Sequence, residues 1–199
     1  FKIVNSYIKR MYKKFLKPKE FVSSERGFYQ MANAGITTLV YASWTDDKKL
    51  AAKEINFRFK EIDSLFYDDG YINNNSFRGV RAQWYHSYGL NPALAYVYIA
   101  DLWGAKVPDV IIKKLTNASM VVNLAIKDYE TFRAREFTGD YNENISKDPK
   151  HARMHTHQEA IGIDVLMELV TGIKLENDPI YLEKRNITEI DDTIGFNPH

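Results

Sequence analysis

The chain contains no cysteine. Disulfides, iron–sulfur clusters, thiolate zinc sites and cysteine nucleophiles are therefore excluded. Neither sign of charge is in excess: 27 Lys+Arg stand against 26 Asp+Glu, a net charge of +1. That leaves no electrostatic footprint for DNA or RNA, because a binder of the phosphate backbone concentrates basic residues. The one basic block runs from Lys9 to Lys19. It reads either as a solvated helix face or as an attractor for a polyanionic chain. No apolar stretch reaches the ~18 residues that a membrane span needs. No pair of alternating runs brackets a tight Asn-Gly or Gly-Gly turn, so no β-hairpin is expected. No period with recurring letters is present, which disfavours a tetratricopeptide-type array.

What the chain does have is aromatic residues, at 14%, with 13 Tyr, 11 Phe and 3 Trp. Aromatics fill cores and interfaces, and they also stack on sugar rings. Core is the ordinary reading of Trp44, Trp84 and Trp103, with Trp84, beside Tyr85, the best platform for a sugar. Over 199 residues, 45% hydrophobic and 27% charged residues suit one folded domain over 1–199. An absence of cysteine suits a periplasmic or secreted chain.

Hydrophobic periodicity places six helices. The first covers about 1–16, with Phe1, Val4, Ile8, Met11 and Phe15 on one stripe, and stops near Pro18. A helix starting at the first residue suggests that the sequence is the later part of a longer domain. The second runs from about Gly27 to Trp44 and the third over about 47–66, with Asp46 or Asp47 as its cap. The third carries Ala51, Ile55, Phe59, Ile62 and Phe66 on one face. Asp68-Asp69-Gly70 breaks it, and Tyr71–Phe77 reads as a loop. The fourth runs from about Gly79 to Trp103, ends at Gly104, and is expected to kink or split at Pro92. The fifth covers about Pro108–Ile126, and the sixth about His155–Thr171, closed by Gly172. Arg133–Pro149 reads as a long loop and 175–199 as a polar tail packed over the surface. The fold expected is all-α, a succession of helical hairpins.

The chemistry concentrates between Asp69 and Gly104. If the fourth helix reaches back to Arg78, then Arg78, Arg81, Tyr85 and Tyr88 follow at spacings of 3, 4 and 3, on one stripe. Two guanidinium groups on a buried helix need partners, because unpaired buried charge costs several kcal/mol. The partner is either an acidic residue of the protein or an anionic ligand. A cation beside a carboxylate stabilises the carbanion formed when the neighbouring proton leaves. A phenol whose pKa is lowered by cationic neighbours takes that proton, and in its protonated form it serves a leaving oxygen. β-Elimination in a polyuronate needs both: a proton off C5 and the glycosidic oxygen off C4.

The same segment resembles the alginate lyases of the all-α toroid type, in particular the bacterial periplasmic mannuronate-cleaving family. The likeness rests on Asp69-Gly70-Tyr71-Ile72, on Arg78 seven residues before Tyr85-His86, and on Arg81-Ala82, Tyr88, Leu90 and Pro92. It continues more loosely through Leu115–Phe132 and Thr156–Leu166, and upstream through Phe28–Leu50. The resemblance implies an incomplete (α/α) toroid, the later half of a lyase domain, acting without cofactor. It implies Tyr85 as catalytic acid/base and Arg78 as the cation of the site, with His86 and Arg81 near the cleft. The family's Asn-His pair aligns with Tyr29 and Gln30, and Asn33 lies one turn further on as the other candidate amide. Tyr88 and Trp84 are expected to contact the sugar.

His151, His155 and His157 form a second cluster, with His151 and His155 four residues apart. Lys150 and Arg153 beside them oppose a metal ion, so no metal is expected there. The alternatives are surface histidines and a cleft-lining role for His155 and His157. The partner expected is an acidic polysaccharide, with no nucleic acid and no membrane span. A binder that has lost cleavage, and a helical interaction module with structural arginines, remain open beside the lyase.

Overall fold

The computed structural model describes residues 2–16, 28–73, 75–77, 82–133 and 162–176. Among the described residues seven α-helices follow one another: α1 (Lys2–Met11), α2 (Phe28–Thr45), α3 (Lys48–Leu65), α4 (Ala82–Leu102), α5 (Asp109–Lys127), α6 (Tyr129–Arg133) and α7 (Ile163–Thr171). A π-helical turn, Tyr12–Leu16, extends α1. The only β pairing among the described residues is an isolated bridge between Phe66 and Ile72. No described helix is long and apolar enough to cross a membrane. The chain is therefore mainly helical, as its periodicities predict.

α4 is the central element and packs on α2, α5 and α7. It is apolar enough to be buried along most of its length, with Leu90, Ala93, Leu94, Tyr96 and Ala100 fully enclosed. α3 closes against α2 and α5, placing Ile55, Phe59 and Ile62 in the same core. α7 adds Ile163 and Met167.

The helix ends follow from local chemistry. Asp47 caps α3, its carboxylate accepting the Leu50 amide at 3.0 Å. The turn after α4 ends at Gly104 and α7 ends at Gly172, both at positive φ. Of the two outcomes expected at Pro92, a kink or a split, the split does not occur: α4 runs through it unbroken. Its neighbours Leu90, Ala93 and Leu94 are fully buried, and that packing outweighs the single lost hydrogen bond. α6 is a short helix that the periodicity, which ended the fifth helix near Ile126, did not place. Asp128 interrupts the two and then caps α6, accepting the Thr131 amide at 3.0 Å and its hydroxyl at 2.6 Å. Those bonds hold the Asp128 carboxyl below its ordinary pKa.

Two sequence expectations shift. The apolar stripe of α1 buries none of its residues, and Ile3 is 86% exposed. The helix is held instead by the Trp44 indole, which donates to Asn5 at 2.8 Å, and by Tyr12 stacked on Tyr41 at 3.8 Å. Trp44 is thus a half-exposed tether and no part of the core. The sixth expected helix is described from Ile163 onward; the residues before Gly162 lie outside the described ones. The beginning of the tail docks on α5, where Asn123 donates to the Lys174 carbonyl and accepts the Glu176 amide.

Under the α2–α3–α4 junction lies a buried charge cluster. Arg58 donates to Glu54 at 2.6 Å and to Glu61 at 2.7 Å, and the guanidinium is 2% exposed. Gly35 of α2 makes this possible: a Cβ there would lie 2.7 Å from Arg58 Nε and 2.9 Å from the Tyr96 ring. The cluster holds two carboxylates for one cation. Burial raises the Glu61 carboxyl above its ordinary range despite Arg58. Burial works against the Arg58 charge, but Glu61 and Glu54 raise its pKa, so the cation persists. Glu61 Oε1 and the Tyr96 hydroxyl find no hydrogen-bond partner among the described residues.

Arg58→Met should lower stability by about 3–5 kcal/mol, because it strands two buried carboxylates. Glu61→Gln keeps an acceptor for Arg58 and removes the surplus charge. A raised carboxyl pKa disfavours the folded state as pH rises past its unfolded value, so this variant should be as stable as the parent, or more so, at pH ~7. Urea denaturation of both variants checks the pair. Equal damage from the two would show that both carboxylates are needed as charges.

Candidate functional site

The segment from Asp69 to Leu90 folds back on itself and is stapled by side chains. Asp69 accepts the Tyr71 amide at 3.1 Å, an Asx turn that starts the loop. Ser76 Oγ accepts the Ile72 amide at 2.7 Å, closing the loop on itself. Asn75 then donates its amide to the Tyr85 carbonyl at 2.8 Å. Gly89 is required opposite it, since a Cβ there would sit 2.3 Å from Asn75 Nδ2.

His86 joins this loop to α5. Its Nε2 lies 2.9 Å from the Ala118 carbonyl and its Nδ1 lies 2.7 Å from Ser76 Oγ. A carbonyl only accepts, so Nε2 carries the proton and Nδ1 accepts from the serine. A relay therefore runs from the Ile72 amide through Ser76 and the imidazole to α5. The ring lies among aromatic neighbours, edge-on to Tyr71 at 6.4 Å and to Phe132 at 6.2 Å. Burial pushes its pKa down to about 4, with the Ala118 bond opposing only in part. His86 is thus a neutral buried strut in this arrangement, with neither nitrogen free to meet a substrate.

Phe132 brings α6 onto the same loop. The Tyr71 hydroxyl donates to the Phe132 carbonyl at 3.0 Å, and the two rings stack at 5.8 Å. Phe77 and Tyr129 extend the aromatic layer. The Asn117 amide donates to the Asp68 carbonyl at 2.7 Å, a second clasp between α5 and the loop.

Tyr85 stands in the first turn of α4, next to this framework. Its ring stacks on Trp84 at 5.1 Å with an interplanar angle of 25°. The Tyr85 residue is 9% exposed, while Trp84 and Tyr88 are partly exposed. The structure therefore brings Tyr85, Trp84, His86 and Tyr88 together on one helix end. Arg78, Arg81, His155 and His157 lie outside the described residues. Gln30 and Asn33 are placed on α2 by their backbones, and their side chains are not among those described.

The sequence reading missed Gln83 and Ser87. Both are 1% exposed and lie four residues apart on α4, and Gln83 Oε1, Gln83 Nε2 and Ser87 Oγ find no hydrogen-bond partner among the described residues. The signal was present as two polar residues at helical spacing in an otherwise apolar helix. It also missed Ser76 and Asn75, whose side chains do the stapling. No group of His, Asp and Glu that would hold a metal occurs among the described residues.

Tyr85 is thus a largely buried tyrosine in the first turn of α4, with its carbonyl tied by Asn75 and its ring against Trp84. No family model matches the chain, and neither a curated protein nor a solved structure matches it significantly.

The lowered His86 pKa has a consequence for acid stability. A histidine depressed on folding stabilises fully above its unfolded value, and that contribution is lost as pH falls. The window runs from 6.5 down to about 4. The loss should reach ~3 kcal/mol across the window, at ~1.4 kcal/mol per unit. His86→Gln should be less stable at neutral pH and should lack this part of the pH dependence. Denaturation midpoints measured between these limits decide it; parallel slopes for the two proteins would mean that His86 does not titrate with unfolding.

Proposed function

We propose that the chain is a polysaccharide lyase, or the later part of one, cleaving a uronate polymer such as alginate by β-elimination. Tyr85 acts as acid/base, taking the C5 proton and protonating the glycosidic oxygen that leaves C4. Arg78, with an amide from Gln30 or Asn33, neutralises the uronate carboxylate, and Arg81, Tyr88, Trp84, His155 and His157 line the sugar path. No organic cofactor is required, because charge neutralisation and proton transfer supply the chemistry. The helical hairpins then belong to an incomplete (α/α) toroid, and a periplasmic or secreted location suits a chain without cysteine.

One observation carries this reading. Two separate stretches that resemble the lyase family, Asp69–Pro92 and Leu115–Phe132, dock on each other through Tyr71, His86, Ala118 and Phe132. Tyr85 follows directly from that junction, its carbonyl tied by Asn75. Such bracing is what an acid/base group needs, since small displacements at a reacting centre cost large factors in rate.

A second reading is a lyase-like protein that binds uronate polymers without cleaving them. It is favoured by the state of His86, which is neutral and doubly bonded, and by Gln30 standing where the family has histidine.

Mannuronan, guluronan and glucuronan should be assayed for the ultraviolet absorbance of the unsaturated uronate product. The lyase reading expects activity on at least one of them. Tyr85→Phe should reduce turnover by ~10²–10⁴-fold while leaving binding nearly unchanged. Binding without product on all three polymers would select the second reading. An unaltered rate in Tyr85→Phe would remove the tyrosine from the mechanism.

A further inference from the structure

A groove of about 550 Å³ opens at the far end of α4 from Tyr85. It lies between the first three turns of α3, where the core residues Ala51, Ile55 and Phe59 form part of its wall, and the Trp103–Pro108 connection that leads into α5. Tyr85 and Trp103 are 18 residues apart on or beside one helix, so roughly 27 Å of helix axis separates the two places. The groove is therefore distinct from the tyrosine end.

Its lining has a definite chemistry. Trp103, partly exposed, provides aromatic surface, with Phe59 of the core in the wall; Asn56 provides an amide, and Lys48 and Lys106 stand exposed. Among the described residues no acidic side chain lines it. Neither lysine takes part in an ion pair among the described residues, whereas Lys114, Lys127 and Lys174 each have a carboxylate partner. Asp47, beside Lys48, is engaged as the cap of α3, and Asp109, three residues after Lys106, stands in the first turn of α5 outside the lining. Gly104, in the rim, has positive φ and open space beside it, so no side chain crowds the mouth.

We infer that this groove is a second binding site, for an anionic sugar residue of a uronate chain, held by Lys48, Lys106 and Trp103. A pyranose presents a flat C–H face, a rim of hydroxyls and one carboxylate. The indole meets the flat face, the Asn56 amide both donates to and accepts from hydroxyls, and the two ammonium groups meet the carboxylate. The volume falls in the range of small-ligand sites. An acidic peptide fits less well. Its backbone amides need partners, and Asn56 is the single side-chain amide in the lining. The groove extends the polyuronate reading by naming a place that holds the polymer away from the reacting end. It rests on that reading only for the identity of the sugar; the anionic character stands on the lysines.

The test uses the full chain carrying Tyr85→Phe, so that the ligand survives, titrated calorimetrically with purified oligomannuronate. Lys48→Gln with Lys106→Gln is the informative double change, because both side chains are exposed and the fold does not depend on them. It should weaken binding about tenfold, equivalent to ~1.4 kcal/mol, and should remove most of the salt dependence. Trp103→Phe should weaken binding further at equal charge. A neutral manno-oligosaccharide should bind no better to the parent than to the double variant. Unchanged oligomannuronate affinity in the double variant, or no binding by the parent, overturns the inference, as does polyglutamate binding at the lysines as tightly as the sugar. The two readings separate by a further measurement. With Tyr85 intact, the double variant should cleave a short substrate at the parent rate. A chain that shows no cleavage but retains lysine-dependent sugar binding loses the lyase reading and keeps the groove.

Discussion

The imidazole of His86 is the point on which the described structure turns. Three segments distant in sequence meet at one ring: the Ile72–Ser76 loop, α4 itself, and α5 through the Ala118 carbonyl. A buried imidazole has one donor and one acceptor when neutral, and here each is used once. The arrangement leaves no polar atom of the ring unsatisfied, which is the condition for burying it at all. The aromatic layer of Tyr71, Phe77, Phe132 and Tyr129 then closes over the ring and excludes water. The hydrogen bonds that position α4 are the ones that occupy both nitrogens.

The charge cluster around Arg58 follows the opposite logic. Among the described residues it is incompletely satisfied, with two carboxylates for one cation and no partner for Glu61 Oε1 or the Tyr96 hydroxyl, at the junction of α2, α3 and α4. Replacing such clusters by apolar groups is often neutral or stabilising, so its presence is not explained by stability. Its geometric effect is specific all the same. Glu54 and Glu61 hold the long Arg58 side chain flat along α3, and Gly35 lets α2 approach that surface. The close approach sets where α2 lies against α4, and α2 is the helix that carries Gln30 and Asn33.

Helix positions were legible from periodicity because burial of a stripe is a one-dimensional pattern. Ile55, Phe59 and Ile62, and Ile111, Leu115, Ala118 and Val122, appear in the core as the spacing predicts. Stops were legible wherever a residue carries its own backbone preference, as at Asp47, Gly104 and Gly172. The errors have physical causes. Pro92 reads as a kink or a split, and the split does not occur because a helix packed on by α2, α5 and α7 tolerates one missing hydrogen bond. Trp44 reads as core by its size, but its indole N–H finds Asn5 and the ring stays half outside. The stripe of α1 has the right period, and periodicity cannot say whether anything covers it.

By itself the sequence determined that the chain is helical, that chemistry-bearing residues gather between Asp69 and Asn91, and that thiol chemistry and a strong nucleic-acid charge footprint are excluded. Those properties depend on composition and on neighbours within a few positions. Only the tertiary structure decided that His86 is a neutral strut and not a free acid/base group, since its state depends on Ser76 and Ala118, ten and 32 residues away. Likewise only the fold gathers Lys48 and Lys106 around Trp103, or turns Glu54, Arg58 and Glu61 inward. Charge and protonation belong to an environment, and an environment is assembled from residues that the linear sequence keeps apart.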